Sequence, residues 1–126
     1  MIIPPGPLKV MVATKPVDFR KGAVSLAALV EHELGLKPFL GVVFIFRSKR
    51  LDRLKILMWD GSGLCLLAKR LESGAFTWPP VRDGAVTLSA SQLRLLLTGM
   101  DWTQLGTRGS ESPRADAAQE KIGMSV

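Results

Sequence analysis

The chain has 126 residues, of which 47% are hydrophobic and 22% charged, a balance that predicts one folded domain and disfavours an intrinsically disordered chain. Seventeen lysines and arginines against eleven acidic residues give a formal net charge of +6, which favours polyanionic partners such as nucleic acid without requiring them. Because the chain has one cysteine, it can form neither an internal disulfide nor a cysteine-rich zinc site by itself.

Nothing in the sequence predicts a membrane protein or a secreted one. No apolar stretch approaches the ~20 residues that a membrane span needs. Residues 1–7 contain three prolines and lack the apolar core of a signal peptide, and they are interpreted as an extended arm. We therefore expect a cytoplasmic protein that does not contact the membrane.

The first elements in chain order are a strand and a helix. Leu8, Val10 and Val12 alternate with Lys9 and Met11, a pattern that predicts a short strand. Asp18 is predicted to begin a helix, because a carboxylate at that position binds free amide groups and favours the helix dipole. The residues at helical spacing are Phe19, Ala23, Leu26, Val30 and Leu34. Gly35 follows as a left-handed cap.

The middle of the chain is rich in strand-forming residues. The unbroken apolar run 42–46 is typical of a central strand, and residues 54–59 and 64–68 predict two more. The sequence DGSG at 60–63 indicates a tight turn between the last two. Together these segments predict an antiparallel meander.

The remaining elements are shorter. Residues 75–78 and 85–88 are predicted to be extended, and Ser89 with Gln92 forms a capping-box pattern for a second helix that ends near Gly99. The fold class is therefore α+β, a small antiparallel sheet (meander) with two packed helices. We expect a single domain over residues 1–102, and a disordered or loosely attached tail over residues 103–126, which is neutral and poor in large apolar residues.

Two stretches carry a dense positive charge. In an antiparallel meander, the start of one strand and the end of its hairpin partner lie at the same end of the sheet, so their side chains are expected to form one basic rim suited to phosphates. The residues of this predicted rim are Arg47, Lys49, Arg50, Arg53, Lys55, Lys69 and Arg70. Arg20 and Lys21 could join it, although the sequence does not place them. The alternative is a solvated connection that binds nothing, and Ser48 adds only a weak argument for phosphate contact.

Aromatic side chains offer a second route to nucleic acid, through base stacking. We expect most of them to lie in the core instead, since strand positions in a small domain bury such rings. Trp78, which precedes two prolines, is the aromatic residue first expected to be exposed. Any DNA contact is expected at the backbone, because no zinc-finger spacing or helix-turn-helix is evident.

Catalysis finds no support in the sequence, and no metal or cofactor is expected. Asp18 and Asp60 fit a helix start and a turn, whereas a metal-dependent nuclease would need two or three converging carboxylates. The single histidine, His32, is interpreted as a solvated helix residue, and Cys65 as a small buried hydrophobe and not a reactive thiol. A small nuclease dependent on Asp18 or Asp60 is the least favoured alternative.

Four blocks of sequence resemble the TnpB-like accessory proteins of a bacterial insertion-sequence family, which are encoded between a small upstream reading frame and the main transposase. The blocks are PVDFRKG at 16–22, VFIFRSKR at 43–50, LKILMWDGSG at 54–63 continuing to KRLESGAFTWP at 69–79, and LLTGMDW at 96–102. They occur in order and cover most of residues 8–102. The tail beyond residue 102 has no counterpart in the resemblance.

This resemblance implies a role in DNA transposition and supplies no catalytic residues. The implied partners are the transposase, other proteins of the element, and DNA, while the oligomeric state is left open. We therefore predict a non-catalytic accessory protein that binds nucleic acid through the basic rim and assists the transposase. The alternative is a protein–protein adaptor for the transposase that does not contact nucleic acid.

Overall fold

A computed structural model describes residues 8–104. Their order of elements is β1 (Lys9–Ala13), α1 (Ala23–Glu33), β2 (Val42–Arg47), β3 (Arg53–Trp59), β4 (Leu64–Arg70), β5 (Ala85–Leu88) and α2 (Ala90–Leu97), followed by a 3-10 turn, Trp102–Gln104. The predicted arm at 1–7 and most of the predicted tail, residues 105–126, lie outside the described residues. The division into one domain and a tail stays a prediction.

The five strands form one sheet in the order β4-β3-β2-β1-β5. Strands β2, β3 and β4 form the predicted antiparallel meander, and the run 42–46 is the central strand, as expected. Strand β1 lies beside β2 in parallel, with Val10 opposite Val43, and β5 pairs antiparallel with the other side of β1. The α+β class is confirmed. The sheet is mixed because β1 and β2 are parallel, and α1 provides the crossover connection that a parallel pair needs.

The two faces of the sheet are covered by different elements. On one face, which we call the α1 face, Leu26 and Val30 of α1 pack with Phe44 and Phe46. On the other, which we call the α2 face, Leu96 of α2 packs with strand residues, together with Phe76 and Trp102 from the connections. Side chains alternate between the faces along each strand, so both faces of the central strand are apolar and buried.

Helix α1 begins later than predicted. Its N-cap is Gly22, and Asp18 lies before it. The Asp18 carboxylate accepts a hydrogen bond from the Arg20 backbone N–H at 2.9 Å, and the Asp18 carbonyl accepts one from Lys21 N–H at 3.0 Å. These bonds stabilise a turn over residues 18–21, because a short carboxylate side chain competes with helix by binding its own backbone.

Other local predictions are confirmed. The Ser89 side chain and the Gln92 side chain make the reciprocal bonds of a capping box at the start of α2. Gly35 follows α1 with a φ of 66°, the left-handed conformation that suits glycine. The segment 75–78, by contrast, pairs with no strand; Phe76 N–H donates instead to the Leu51 carbonyl at 3.0 Å.

Candidate nucleic-acid interface

The two basic stretches meet at one end of the sheet. The β2–β3 connection carries Lys49 and Arg50, and the first residue of β3, Arg53, pairs with the last residue of β4, Arg70. This placement follows from the hairpin that the sequence predicts. Ser48 is buried, and its hydroxyl donates to the Arg50 carbonyl at 2.9 Å and accepts from Arg50 N–H at 3.0 Å, so this hydroxyl holds the turn.

The basic side chains share an end of the sheet but not a face, so the expectation of one continuous rim is wrong. Because cross-strand partners point to the same side, Arg53, Lys55 and Arg70 lie on the α1 face. Arg47 and Lys69, each opposite Leu54, lie on the α2 face. The physical reason is the two-residue period of a strand, which sends neighbours such as Lys69 and Arg70 in opposite directions.

Two of the predicted phosphate ligands bind the protein's own backbone. The Lys55 ammonium donates to the carbonyls of Phe19, at 2.7 Å, and Lys21, at 3.1 Å, and it lies 5.0 Å from the centre of the Phe19 ring. The Lys69 ammonium donates to the Leu97 carbonyl at 2.7 Å, at the end of α2, where a cation is favoured by the helix dipole. Both side chains therefore stabilise the fold.

Arg47 packs against Trp78 on the α2 face. Its guanidinium carbon is 5.8 Å from the centre of the Trp78 ring, and its Nε donates to the Ser48 carbonyl at 3.2 Å. Trp78 is half-buried, and its indole N–H donates to the Leu51 carbonyl at 3.1 Å. Phe44, Phe46, Phe76 and Trp102 are buried, as predicted for most of the aromatic residues. Trp78 is more buried than expected because it supports this packing.

Arg53 and Arg70 bring two like charges together at this end of the sheet. They face each other across β3 and β4 on the same face, an arrangement that is unfavourable for like charges. The nearest carboxylate oxygen, Oδ1 of Asp52, is 3.7 Å from Arg53 Nε and 4.0 Å from Arg50 Nε. Arg53 Nε is buried and forms no hydrogen bond within the described residues, so the guanidinium can meet an external anion only through its terminal N–H groups.

The turn that precedes α1 brings two more basic residues to the α1 face. Lys55 binds the carbonyls of Phe19 and Lys21, and Arg53 lies two residues from Lys55 on the same side of β3, about 7 Å along the strand. Arg20 pairs with Asp18 at 2.6 Å, and its guanidinium holds the pKa of that carboxyl well below its usual range. Helix α1 starts here without a side-chain cap and without an acidic residue in its first turn.

We call the resulting patch the basic surface. It comprises six residues, Arg20, Lys21, Lys49, Arg50, Arg53 and Arg70. Three carboxylates, Asp18, Asp52 and Glu72, lie within or beside it in the chain. All six basic side chains except Arg53 are exposed, and Arg53 is half-buried. The surface is therefore positive overall and open to a large partner. The sequence could not reveal the contribution of Arg20 and Lys21, because Lys55 links them to β3 across 34 to 36 residues.

A cleft of about 280 Å³ lies next to this surface. It is lined by both signs of charge, including Lys15, Lys21, Glu33 and Asp83, and the Lys15 ammonium is 2.5 Å from the Asp83 carboxylate. Because these charges compensate one another, the cleft adds little to the attraction for an anion.

The structure offers the nuclease alternative no support. Within residues 8–104, no group of three histidine, cysteine or acidic side chains is placed to hold a metal ion. Asp18 lies near the start of β3 and Asp60 follows its end, so the two carboxylates cannot converge. His32 is exposed, as predicted. None of the helices in this part of the chain is long and apolar enough to cross a membrane.

The opposite end of β3 is held by Asp60. Its Oδ1 accepts hydrogen bonds from the N–H groups of Ser62 and Gly63, at 2.9 and 3.0 Å, and its Oδ2 accepts one from the half-buried Cys65 thiol at 3.3 Å. These bonds lower the pKa of Asp60 to about 2, and the Asp60 carboxylate raises the pKa of the Cys65 thiol. Cys65 is therefore a poor nucleophile.

Replacing Asp60 by asparagine is expected to lower stability in a pH-dependent way. The folded-state pKa of Asp60 lies below its usual value of 3.8, so the carboxylate stabilises the fold above pH 3.8, and this contribution is lost as the pH falls to about 2. The difference in Tm between the wild type and Asp60→Asn should be present at neutral pH and narrow across that window. Thermal unfolding at a series of pH values measures it, and a difference that stays constant down to pH 2 would contradict the assignment.

Comparison with known proteins identifies the family of this chain. The family model described as "IS66 Orf2 like protein" matches residues 8–107. The chain belongs to this family, and it is an accessory protein of an insertion sequence with a role in transposition. The family confirms the resemblance carried by the four sequence blocks.

Two relatives come from Sinorhizobium fredii (strain NBRC 101917 / NGR234). One, described as uncharacterized protein y4jC, is 49% identical over 113 residues, which cover 90% of this chain and 97% of the relative. The other, described as uncharacterized protein y4hO, is 43% identical over 95 residues, which cover 75% of this chain and 83% of the relative. No solved structure matches the chain.

Proposed function

We propose that this insertion-sequence protein binds the phosphate backbone of DNA through the basic surface and assists the transposase of its element without catalysing a reaction itself. The observation that carries the proposal is the pair formed by Arg53 and Arg70, two like charges that face each other on one side of the sheet. A phosphate placed between them would relieve their repulsion and accept hydrogen bonds from the terminal N–H groups of the two guanidinium groups.

The surface suits backbone contact better than base readout. Its residues belong to a turn, to strand ends and to the segment before α1, and both helices pack their apolar sides on the sheet. Side chains on such a surface reach phosphates and do not place a helix or ribbon in a groove. Binding is therefore expected to depend little on sequence, and selection of the element ends is assigned to the transposase.

The wild-type chain should bind an element-end duplex and an unrelated duplex of equal length with similar affinity. Contact with about four phosphates gives a slope of about −3.6 in a plot of log affinity against log salt, so binding should fall roughly 150-fold between 50 and 200 mM salt. Fluorescence anisotropy with labelled duplexes measures both quantities. Affinity that is unchanged over this range, or absent at low salt, would rule out backbone binding.

A protein adaptor is the second candidate, and the exposed side chain of Leu51 favours it. Leu51 is 48% exposed in the β2–β3 connection, beside Arg50, and an exposed apolar group next to the basic surface suits a protein partner with an acidic rim. In this case the transposase would be retained by the immobilised chain after nuclease treatment, and the anisotropy experiment would detect no binding to DNA.

A further inference from the structure

Strand β4 leaves one edge of the sheet open. It has seven residues, and within residues 8–104 its only strand partner is β3. Its first five residues, LCLLA at 64–68, contain no charge and no proline, although exposed edges in natural proteins are usually protected by such residues. Leu67 is 46% exposed. The other edge strand, β5, is only four residues long.

The hydrogen bonds that flank β4 show which of its backbone groups point outward. Leu71 N–H donates to the Asp52 carbonyl at 2.9 Å, and Asp60 N–H donates to the Gly63 carbonyl at 3.1 Å. Because hydrogen-bonded pairs alternate along an antiparallel ladder, the odd-numbered residues of β4 direct their N–H and C=O groups toward β3. The outward groups belong to Leu64, Leu66, Ala68 and Arg70.

We propose that two copies of this chain pair through β4 as antiparallel strands, with Leu67 facing Leu67 of the second copy. This register brings Leu64 opposite Arg70 and Leu66 opposite Ala68 of the second copy. All four residues with outward backbone groups then fall in hydrogen-bonded pairs, and the whole seven-residue strand is used. The twofold axis covers both open edges at once, so the assembly closes as a dimer.

Charge complementarity favours a second copy over an unrelated strand. In this register Lys69 lies opposite Cys65 of the second copy, in a pair whose side chains are close because it is not hydrogen-bonded. The Cys65 thiol donates to the Asp60 carboxylate at 3.3 Å, so the Lys69 ammonium of each copy approaches an ionised acid of the other. One of the three ammonium N–H groups is bound to the Leu97 carbonyl, and the other two can face this acid. Lys69 and Arg70 of the two copies stand at opposite ends of the interface, which keeps like charges apart.

The argument for the dimer depends on the open edge of β4 and not on the proposed function. If the proposed function holds, the dimer would carry two basic surfaces. The two Arg70 residues would be six positions apart along the paired strands, about 20 Å, and the two basic surfaces would lie at opposite ends of a ten-stranded sheet. Such a dimer could hold two DNA segments.

The first test is the mass of the full chain in solution, measured by light scattering over a range of concentrations. We expect about twice the chain mass of 13.7 kDa at high concentration. Ala68→Pro removes one outward N–H without touching the β3 ladder and should give the single mass, whereas Ala68→Ser keeps that N–H and should remain dimeric. A single mass at every concentration, a dimer that survives Ala68→Pro, or larger aggregates would each overturn the proposal.

The second test determines the register of the paired β4 strands, and it does not require the Ala68→Pro variant to fold. In a Cys65→Ser background, Leu67→Cys places two thiols opposite each other, and oxidation with diamide should link most of the chains. Leu66→Cys, which faces Ala68 of the second copy, should link far less, as should Thr87→Cys on β5. Circular dichroism checks that each variant is folded. Equal cross-linking in all three variants would overturn the register, whether or not the chain binds DNA.

Discussion

Changing Arg50 and Arg70 together to glutamate is expected to weaken DNA binding about 100-fold at 50 mM salt. Each charge-assisted contact with a phosphate contributes about 1.5–3 kcal/mol, and 1.4 kcal/mol corresponds to tenfold in affinity. Both side chains are exposed, and Arg70 has no ion pair within the described residues. The loss should be similar for element-end and unrelated duplexes, because phosphates carry no sequence information.

A matched control is available at the opposite end of the sheet. Lys9 pairs with Val42, the first residue of β2, and Lys37 lies in the connection that leads into β2. Both lysines are exposed, so the double change to glutamate alters the net charge of the chain by the same amount. If this control weakens binding as much as the change at Arg50 and Arg70 does, attraction is a property of the net charge, and the basic surface is not the site.

Replacing Trp102 by alanine is expected to be the most damaging single change to the fold. The ring is 4% exposed, and its indole N–H donates to the Thr77 carbonyl at 2.7 Å. Truncating a buried tryptophan costs about 3–5 kcal/mol, a large part of the 5–15 kcal/mol that stabilises a typical domain. For a domain of this size, the Tm should fall by roughly 15–25 °C.

Trp102→Phe separates the two contributions of this residue. It keeps most of the apolar ring and removes the N–H, so the Thr77 carbonyl loses its donor at a cost of about 1–3 kcal/mol. Thermal unfolding followed by circular dichroism should therefore place Trp102→Phe between the wild type and Trp102→Ala. A Trp102→Ala variant that melts within a few degrees of the wild type would show that the α2 face does not depend on this residue.

The features that could be predicted from the sequence are those determined by residues close together in the chain. The capping box of Ser89 and Gln92 and the turn held by Asp60 involve residues at most five apart. The same holds for the hairpin that joins β3 to β4, because a short turn places the two strands side by side in antiparallel order. These features place Arg53 opposite Arg70, and so the two basic stretches could be brought together from the sequence alone.

What the sequence could not predict depends on contacts between distant residues. The position of β1 requires Val10 to lie between Val43 and Leu88, and no local pattern indicates that β1 is parallel to β2. Lys55 and Lys69 look like phosphate ligands until their acceptors, the carbonyls of Phe19 and Leu97, are seen. A lysine inside an apolar strand such as β3 is the one signal that could have indicated a structural role.

The salt dependence of DNA binding, measured side by side for three proteins, tests the basic surface most directly. The slope of log affinity against log salt counts the phosphates that a protein neutralises, at about 0.9 per phosphate. We predict a slope near −3.6 for the wild type and for the Lys9 and Lys37 control, and a slope shallower by about 2 for the change at Arg50 and Arg70. Three equal slopes would show that these arginines do not meet the DNA backbone.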